Sequence, residues 1–201
     1  MKFQSILYKS IKTPATIMEY AVGTALIAVF LLLVPLFAKL ITDEMAWDFF
    51  DFVAAWILLF GAGFTYRMVA KKMGNSMYRA AVGVAVATAL FLVWANLAVG
   101  LIGSEDNLAN GMYVVVLAIG FLGAIITRLQ PRGMSRVLFI MAFAHGVITV
   151  IALITRLHLS PESSVFEIIG VNGFFAVLWI ASALLFRNVN EEQPMNATHT
   201  A

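Results

Sequence analysis

Residues 21–37 read AVGTALIAVFLLLVPLF, an apolar run without one charged side chain. A helix rises about 1.5 Å per residue and the hydrocarbon layer is about 30 Å thick, so about 20 such residues cross it. Working outward, Thr13 and Pro14 supply an N-cap and a first-turn proline, and Lys39 closes the run with a stem long enough to reach the far interface. Lys2, Lys9 and Lys12 ahead of it would suit a cleaved leader. The run is too long for one, and no small-x-small cleavage site follows, so the helix is expected to stay. Pro35 removes a backbone donor, and a kink is expected near the outer end.

The same pattern recurs along the 201 residues, of which 62% are hydrophobic and 12% charged. A soluble domain averages about 25% charged residues. One small globule cannot bury this much apolar surface, so lipid must solvate much of it. The spacing predicts an all-α polytopic membrane protein, six transmembrane helices in an up-down antiparallel bundle. They are expected at about 14–41, 47–70, 77–102, 107–128, 135–156 and 161–187, in one domain spanning 1–187, with a polar tail at 188–201. Asp48 and Asp51 belong to the outer turns of the second helix, since counting from Phe52 leaves it too short. Gly74-Asn75-Ser76 predicts a tight turn with a glycine C-cap. Ser160-Pro161-Glu162 predicts the start of the sixth helix, with a capping serine, a first-turn proline and an acid at the positive end of the dipole. Short connections force neighbouring helices to lie antiparallel and leave no loop able to hold a soluble domain.

Basic residues set the expected orientation. Lys2, Lys9, Lys12, Arg67, Lys71, Lys72, Arg79, Arg128, Arg132, Arg136 and Arg187 fall on one side of this map, and only Lys39 and Arg156 on the other. The rich side is read as cytoplasmic, with both termini on it. Most acids fall opposite: Asp43, Glu44, Asp48, Asp51, Glu105, Asp106, Glu162 and Glu167 outside, against Glu19, Glu191 and Glu192 inside. The pI near 9.0 is therefore topogenic, and no nucleic acid is expected as a partner. The second-to-third and fourth-to-fifth hairpins echo each other, with Gly61, Gly63, Lys71, Lys72 and Arg79 matched by Gly120, Gly123, Arg132 and Arg136. Topology rules alone produce much of that likeness, although parallel repeats do occur in transporters.

Polar side chains at bilayer depth cost about 2.5–3.5 kcal/mol on insertion scales when charged, so they usually face the bundle interior or water. The candidates are Glu19, Asp51, Asn96, His145, Glu167 and Asn172. Helix direction and rise put Asp51 and Glu167 about one turn below the outer surface, Asn96 and Asn172 deeper, and His145 near the midplane. One reading is an outward-facing pocket, acids at its mouth and His145 at its floor, for a cation or proton. The other is that Asn96, His145 and Asn172 bridge helices by hydrogen bonds while Asp51 and Glu167 reach the headgroups. Ser104-Glu105-Asp106-Asn107 is likewise read in two ways. Ser104 caps the fourth helix and the acids complement its dipole, or Glu105 and Asp106 are weak ligands for a hard cation such as calcium. Glu19 is expected to pair with Lys12 or another cation, and Trp47, Tyr66, Tyr78 and Tyr113 to sit in the interfacial belt.

Several chemistries are excluded. There is no cysteine for a disulfide, a thiolate metal site or a cysteine nucleophile. Only His145 of the three histidines falls in a span, too few for bis-histidine haem, and no lysine lies deep enough for a retinal Schiff base. His-Glu-x-x-His, Gly-x-Ser-x-Gly and phosphate-cradling loops do not occur. No cofactor and no catalytic residue is expected.

Residues 93–107, VWANLAVGLIGSEDN, together with Arg132-Gly133-Met134 and Leu138-Phe139, resemble a group of small multi-pass bacterial inner-membrane proteins of unknown function. The likeness covers the second to fifth helices. It implies a bacterial cytoplasmic membrane and brings no activity, substrate or cofactor. Two functions follow from the residues. The first is a non-catalytic accessory or scaffold, with the bilayer, a second copy or another membrane subunit as partners, burying the Ala81, Ala85 and Ala89 face against that partner. The second is a small cation- or proton-coupled transporter or channel, with Asp51, Asn96, His145 and Asn172 converging on a wet cavity.

Overall fold

The computed structural model describes residues 14–41, 47–104, 106–157 and 164–189. Among these residues there is no strand, and six helices are long and apolar enough to cross a membrane. They are α1 (Pro14–Ile41), α2 (Phe49–Ala70), α3 (Ser76–Ala98), α4 (Met112–Ile126), α5 (Pro131–Ile154) and α6 (Val165–Asn188), with a 3-10 turn at Leu108–Gly111 leading into α4. The protein is all-α and membrane-embedded. The chain divides into two compact units, Met1–Met68 and Val69–Ala201.

In the first unit α1 and α2 form an antiparallel pair. Gly63 faces the Thr24 methyl, Gly23 faces the Arg67 guanidinium, and at the opposite end Lys39 Nζ donates to the Trp47 carbonyl. A Cβ on Gly63 would lie 2.7 Å from Thr24 Cγ2, so the missing side chain is what lets the two backbones approach. Asp48 and Asp51 form a reciprocal cap: the Asp51 amide donates to Asp48 Oδ1 (2.9 Å) and the Asp48 amide to Asp51 Oδ2 (2.7 Å).

In the second unit the pairing is read from its contacts. Tyr78 and Phe186 meet edge to face, Ser182 Oγ donates to the Ala81 carbonyl (2.8 Å), and Phe91 packs on Phe174 and Phe175. Rising numbers on α3 thus meet falling numbers on α6, which makes the pair antiparallel. Gly120 lies against Met141, and Gly123 against Val137, where a Cβ would come within 2.4 Å of Cγ1, so α4 and α5 are antiparallel and closely apposed. Ala81 is fully buried, its carbonyl accepting from Ser182 of α6, while Ala85 and Ala89 are half-buried.

Element ends differ from expectation in instructive places. Asn75 caps α3, accepting from the Tyr78 amide (3.1 Å), while Gly74 does not adopt the left-handed conformation of a glycine C-cap. Because Gln130 is extended and Pro131 occupies the first helical turn, α5 opens before its apolar run. Ser164 caps α6, accepting from the Glu167 amide (3.1 Å); Ser160, Pro161 and Glu162 lie outside the described residues. The turn from α4 to α5 holds Arg128 (φ 52°) and Leu129 (φ 59°) in the left-handed region, which non-glycine residues rarely adopt. Tyr78 Oη donates to the Leu129 carbonyl (3.1 Å) and Lys72 Nζ to the Arg128 carbonyl, tying this turn to the start of α3.

Candidate functional site

Asn172 lies two turns into α6 and is buried, so both ends of its amide need protein partners. Its Nδ2 donates to the Ile168 carbonyl of its own helix (2.9 Å). That bond fixes the amide's direction and turns Oδ1 toward the neighbouring helices. Oδ1 accepts from Tyr113 Oη on α4 (3.3 Å) and lies 3.1 Å from His145 Nδ1 on α5. An amide oxygen has no proton to give, so the ring donates from Nδ1. A neutral His145 then carries a bare lone pair on Nε2. The imidazole is fully buried, stacked on Phe175 (centroids 5.7 Å apart, planes at 16°) and tilted against Tyr113 (5.6 Å, 37°). Nε2 finds no partner among the described residues, and neither does the buried Trp179 Nε1 on α6.

Asn96 belongs to a different construction. Its Nδ2 reaches the Asn110 carbonyl (3.5 Å) and its Oδ1 is buried without a partner among the described residues. Asn110 is the organising residue of that end. Its Oδ1 accepts from the Leu101 and Ile102 amides (2.9 Å each) and its Nδ2 donates to the Ser104 carbonyl (2.8 Å). Gly100 and Gly103 take positive φ, allowing the chain to fold back so that Ile102 is fully buried. Asn107 caps the 3-10 turn by accepting from the Ala109 amide (2.9 Å), so Asn107, and not Ser104, is the capping residue here. Its extended backbone and a side-chain carbonyl that reaches the amide two residues on suit that position, while the Ser104 carbonyl accepts from the Asn107 amide and from Asn110 Nδ2.

The remaining candidates are placed as follows. Glu167 is exposed in the first turn of α6, where an acid complements the dipole. Asp51, in the first unit, is held in its reciprocal cap with Asp48. Asp106 is exposed on its turn, and Glu105 lies outside the described residues, as do Lys12, His158 and His199. Glu19 is exposed on α1. Among the described residues no group of three or more histidine and acidic side chains is placed to hold a metal ion. Of the predicted pocket residues, His145 and Asn172 are brought into direct contact.

Sequence reading missed the roles of three buried residues. Tyr113 and Tyr78 were expected in the interfacial belt, yet both are buried with their hydroxyls on protein acceptors. Asn110 sits beside a glycine at the head of an apolar run, where an asparagine ordinarily reads as part of a turn. Its three side-chain bonds, reaching six to nine residues back along the chain, leave no signature in spacing. Comparison of the chain with protein-family models, with curated proteins and with solved structures finds no match.

Proposed function

We propose that the protein is a non-catalytic component of a bacterial inner membrane, an accessory or scaffold acting through helix packing and oligomerisation, with both termini in the cytoplasm. The observation that carries this reading is the closure of the Asn172 cluster. The amide that links three helices has both its ends engaged within the protein, and the ring beside it is clamped between aromatic faces. Bonds of this kind fix which helix faces meet, each contributing about 0.6 kcal/mol on average in membranes. The orientation rests on the cation distribution, and the bacterial membrane on the likeness in residues 93–107. In α1 and α2 only 11% and 6% of the most apolar window is buried, leaving broad faces for lipid or for another protein.

One observation favours a second reading, a proton- or cation-coupled transporter: the unpartnered Nε2 of His145 at bilayer depth. Ion flux into liposomes separates the two. The scaffold reading expects wild-type flux no greater than that of empty vesicles, together with a fixed stoichiometry above one copy in single-molecule photobleaching. Flux that falls in His145→Ala or Asp51→Asn establishes the transporter instead. A protein that is monomeric at every lipid ratio removes oligomerisation from the proposal.

A further inference from the structure

The end of the second unit that carries the α4–α5 turn is built from cations. Tyr78 Oη on Leu129, Lys72 Nζ on Arg128 and the Tyr78–Phe186 ring contact bring the start of α3, the α4–α5 turn and the end of α6 together. Arg79, Arg128 and Arg187 are exposed there, with Arg132 and Arg136 on the first turns of α5. The described acids of this unit, Asp106 and Glu167, lie in the connection before α4 and at the start of α6, at the opposite end of the helices.

Arg132 and Arg136 are four residues apart, hence neighbours on one helix face, and like charges so placed repel. The same face continues as Ile140 (53% exposed), Phe143 (73%) and Val147 (41%), all within one narrow stripe at 3.6 residues per turn. Two guanidinium groups thus stand at the head of an exposed apolar track running into the bilayer. A zwitterionic lipid would satisfy the track and bring a phosphate, but its own headgroup cation would oppose the two guanidinium groups. A free anion would satisfy the cations and leave the track bare. An anionic phospholipid meets both demands, its phosphate between the two forks and an acyl chain along the stripe.

We propose that Arg132 and Arg136 hold the phosphate of an anionic phospholipid whose acyl chain lies along Ile140, Phe143 and Val147 of α5. The proposal does not depend on the scaffold reading. It does not require a particular orientation either, because it concerns one end of one helix.

Native mass spectrometry of the full chain in detergent, titrated with phosphatidylglycerol or phosphatidylcholine, tests it. The wild type is expected to retain phosphatidylglycerol preferentially. Arg132→Gln with Arg136→Gln is expected to bind it about thirtyfold more weakly, from about 1 kcal/mol per cation near an anionic surface at about 1.4 kcal/mol per tenfold. Lys39→Gln with Arg156→Gln, at other helix ends, is expected to leave binding unchanged. Glycerol phosphate in excess should not displace the lipid; if it does, the site is for a free phosphate and the acyl half is wrong. Both arginines are exposed, so the double variant should unfold at the wild-type temperature. If it folds and keeps its preference, or if the control pair abolishes binding equally, the proposal is overturned. Should the double variant misfold, Phe143→Ser provides the second arm, expected to weaken lipid retention without changing the response to glycerol phosphate.

Discussion

The two units use polar groups in different ways. In the first, polar bonds are mostly local: Asp48 and Asp51 cap each other across three residues, and Thr24 returns its hydroxyl to the Tyr20 carbonyl one turn away. The second has local bonds too, but adds several that cross between elements: Ser182 to Ala81, Tyr113 to Asn172, His145 to Asn172 and Tyr78 to Leu129. Local bonds form as soon as a helix forms and specify little about its neighbours. Long-range bonds exist only in one arrangement of the helices, so they select that arrangement, although each is weak by itself. The difference predicts that polar substitutions in the second unit act on the whole unit, and those in the first unit on a single turn.

The largest effect is expected at Asn110. Asn110→Ala leaves the Leu101 and Ile102 amides and the Ser104 carbonyl without their partner, and should cost about 2–4 kcal/mol, at about 1–3 kcal/mol per stranded buried group with partial relaxation. Reversible unfolding in mixed micelles would measure it; a loss under about 0.5 kcal/mol would mean water replaces the side chain freely.

Asn172→Ala comes next, at about 2 kcal/mol, since two donors lose an acceptor and a small cavity opens. The comparison is sharpened by adding Tyr113→Phe. If the two residues act together, the double variant should lose less than the sum of the singles, and strict additivity would sever the proposed link.

Gly123→Ala should cost about 1–2 kcal/mol, because Val137 is stiff at its branched carbon and cannot swing aside. Val137→Ala on the same chain should recover much of that loss, which the same unfolding assay would register. Asp51→Ala is the smallest, about 0.5–1 kcal/mol for a lost cap. Hydrogen exchange should report faster opening in the first turn of α2 alone; faster exchange throughout α3–α6 would erase the distinction between the units.

Much of this arrangement was legible in the residues. Length and hydropathy fix a membrane helix because lipid offers the backbone no partner, so each span must satisfy itself. That constraint makes six helices readable from six apolar runs. Helix ends were legible only where a cap is local. Asn75 lay within the predicted turn, but its role as the cap of α3 was missed in favour of a glycine C-cap. Ser164 and Glu167 stand three apart in a capping pattern that the more conspicuous Ser160-Pro161-Glu162 overshadowed. The polar interior was legible by inventory and not by partner. His145 and Asn172 stood out as expensive at their depth, yet spacing cannot show that 27 residues of separation place them 3.1 Å apart. Tyr113 escaped because a tyrosine near a helix start suits a headgroup as well as a buried acceptor.

The left-handed Arg128–Leu129 turn carries a consequence for assembly. Two consecutive residues hold a backbone form that costs roughly 1–2 kcal/mol each; local backbone bonds such as Leu129 to Ala124 close the turn, and Lys72 and Tyr78, the latter 51 residues upstream, brace it from outside. A ribosome makes those anchors first, so they are already waiting when the hairpin emerges. A chain begun after Tyr78 would keep only the turn's own backbone bonds, and the bend would lose the two side chains that brace it against the rest of the unit.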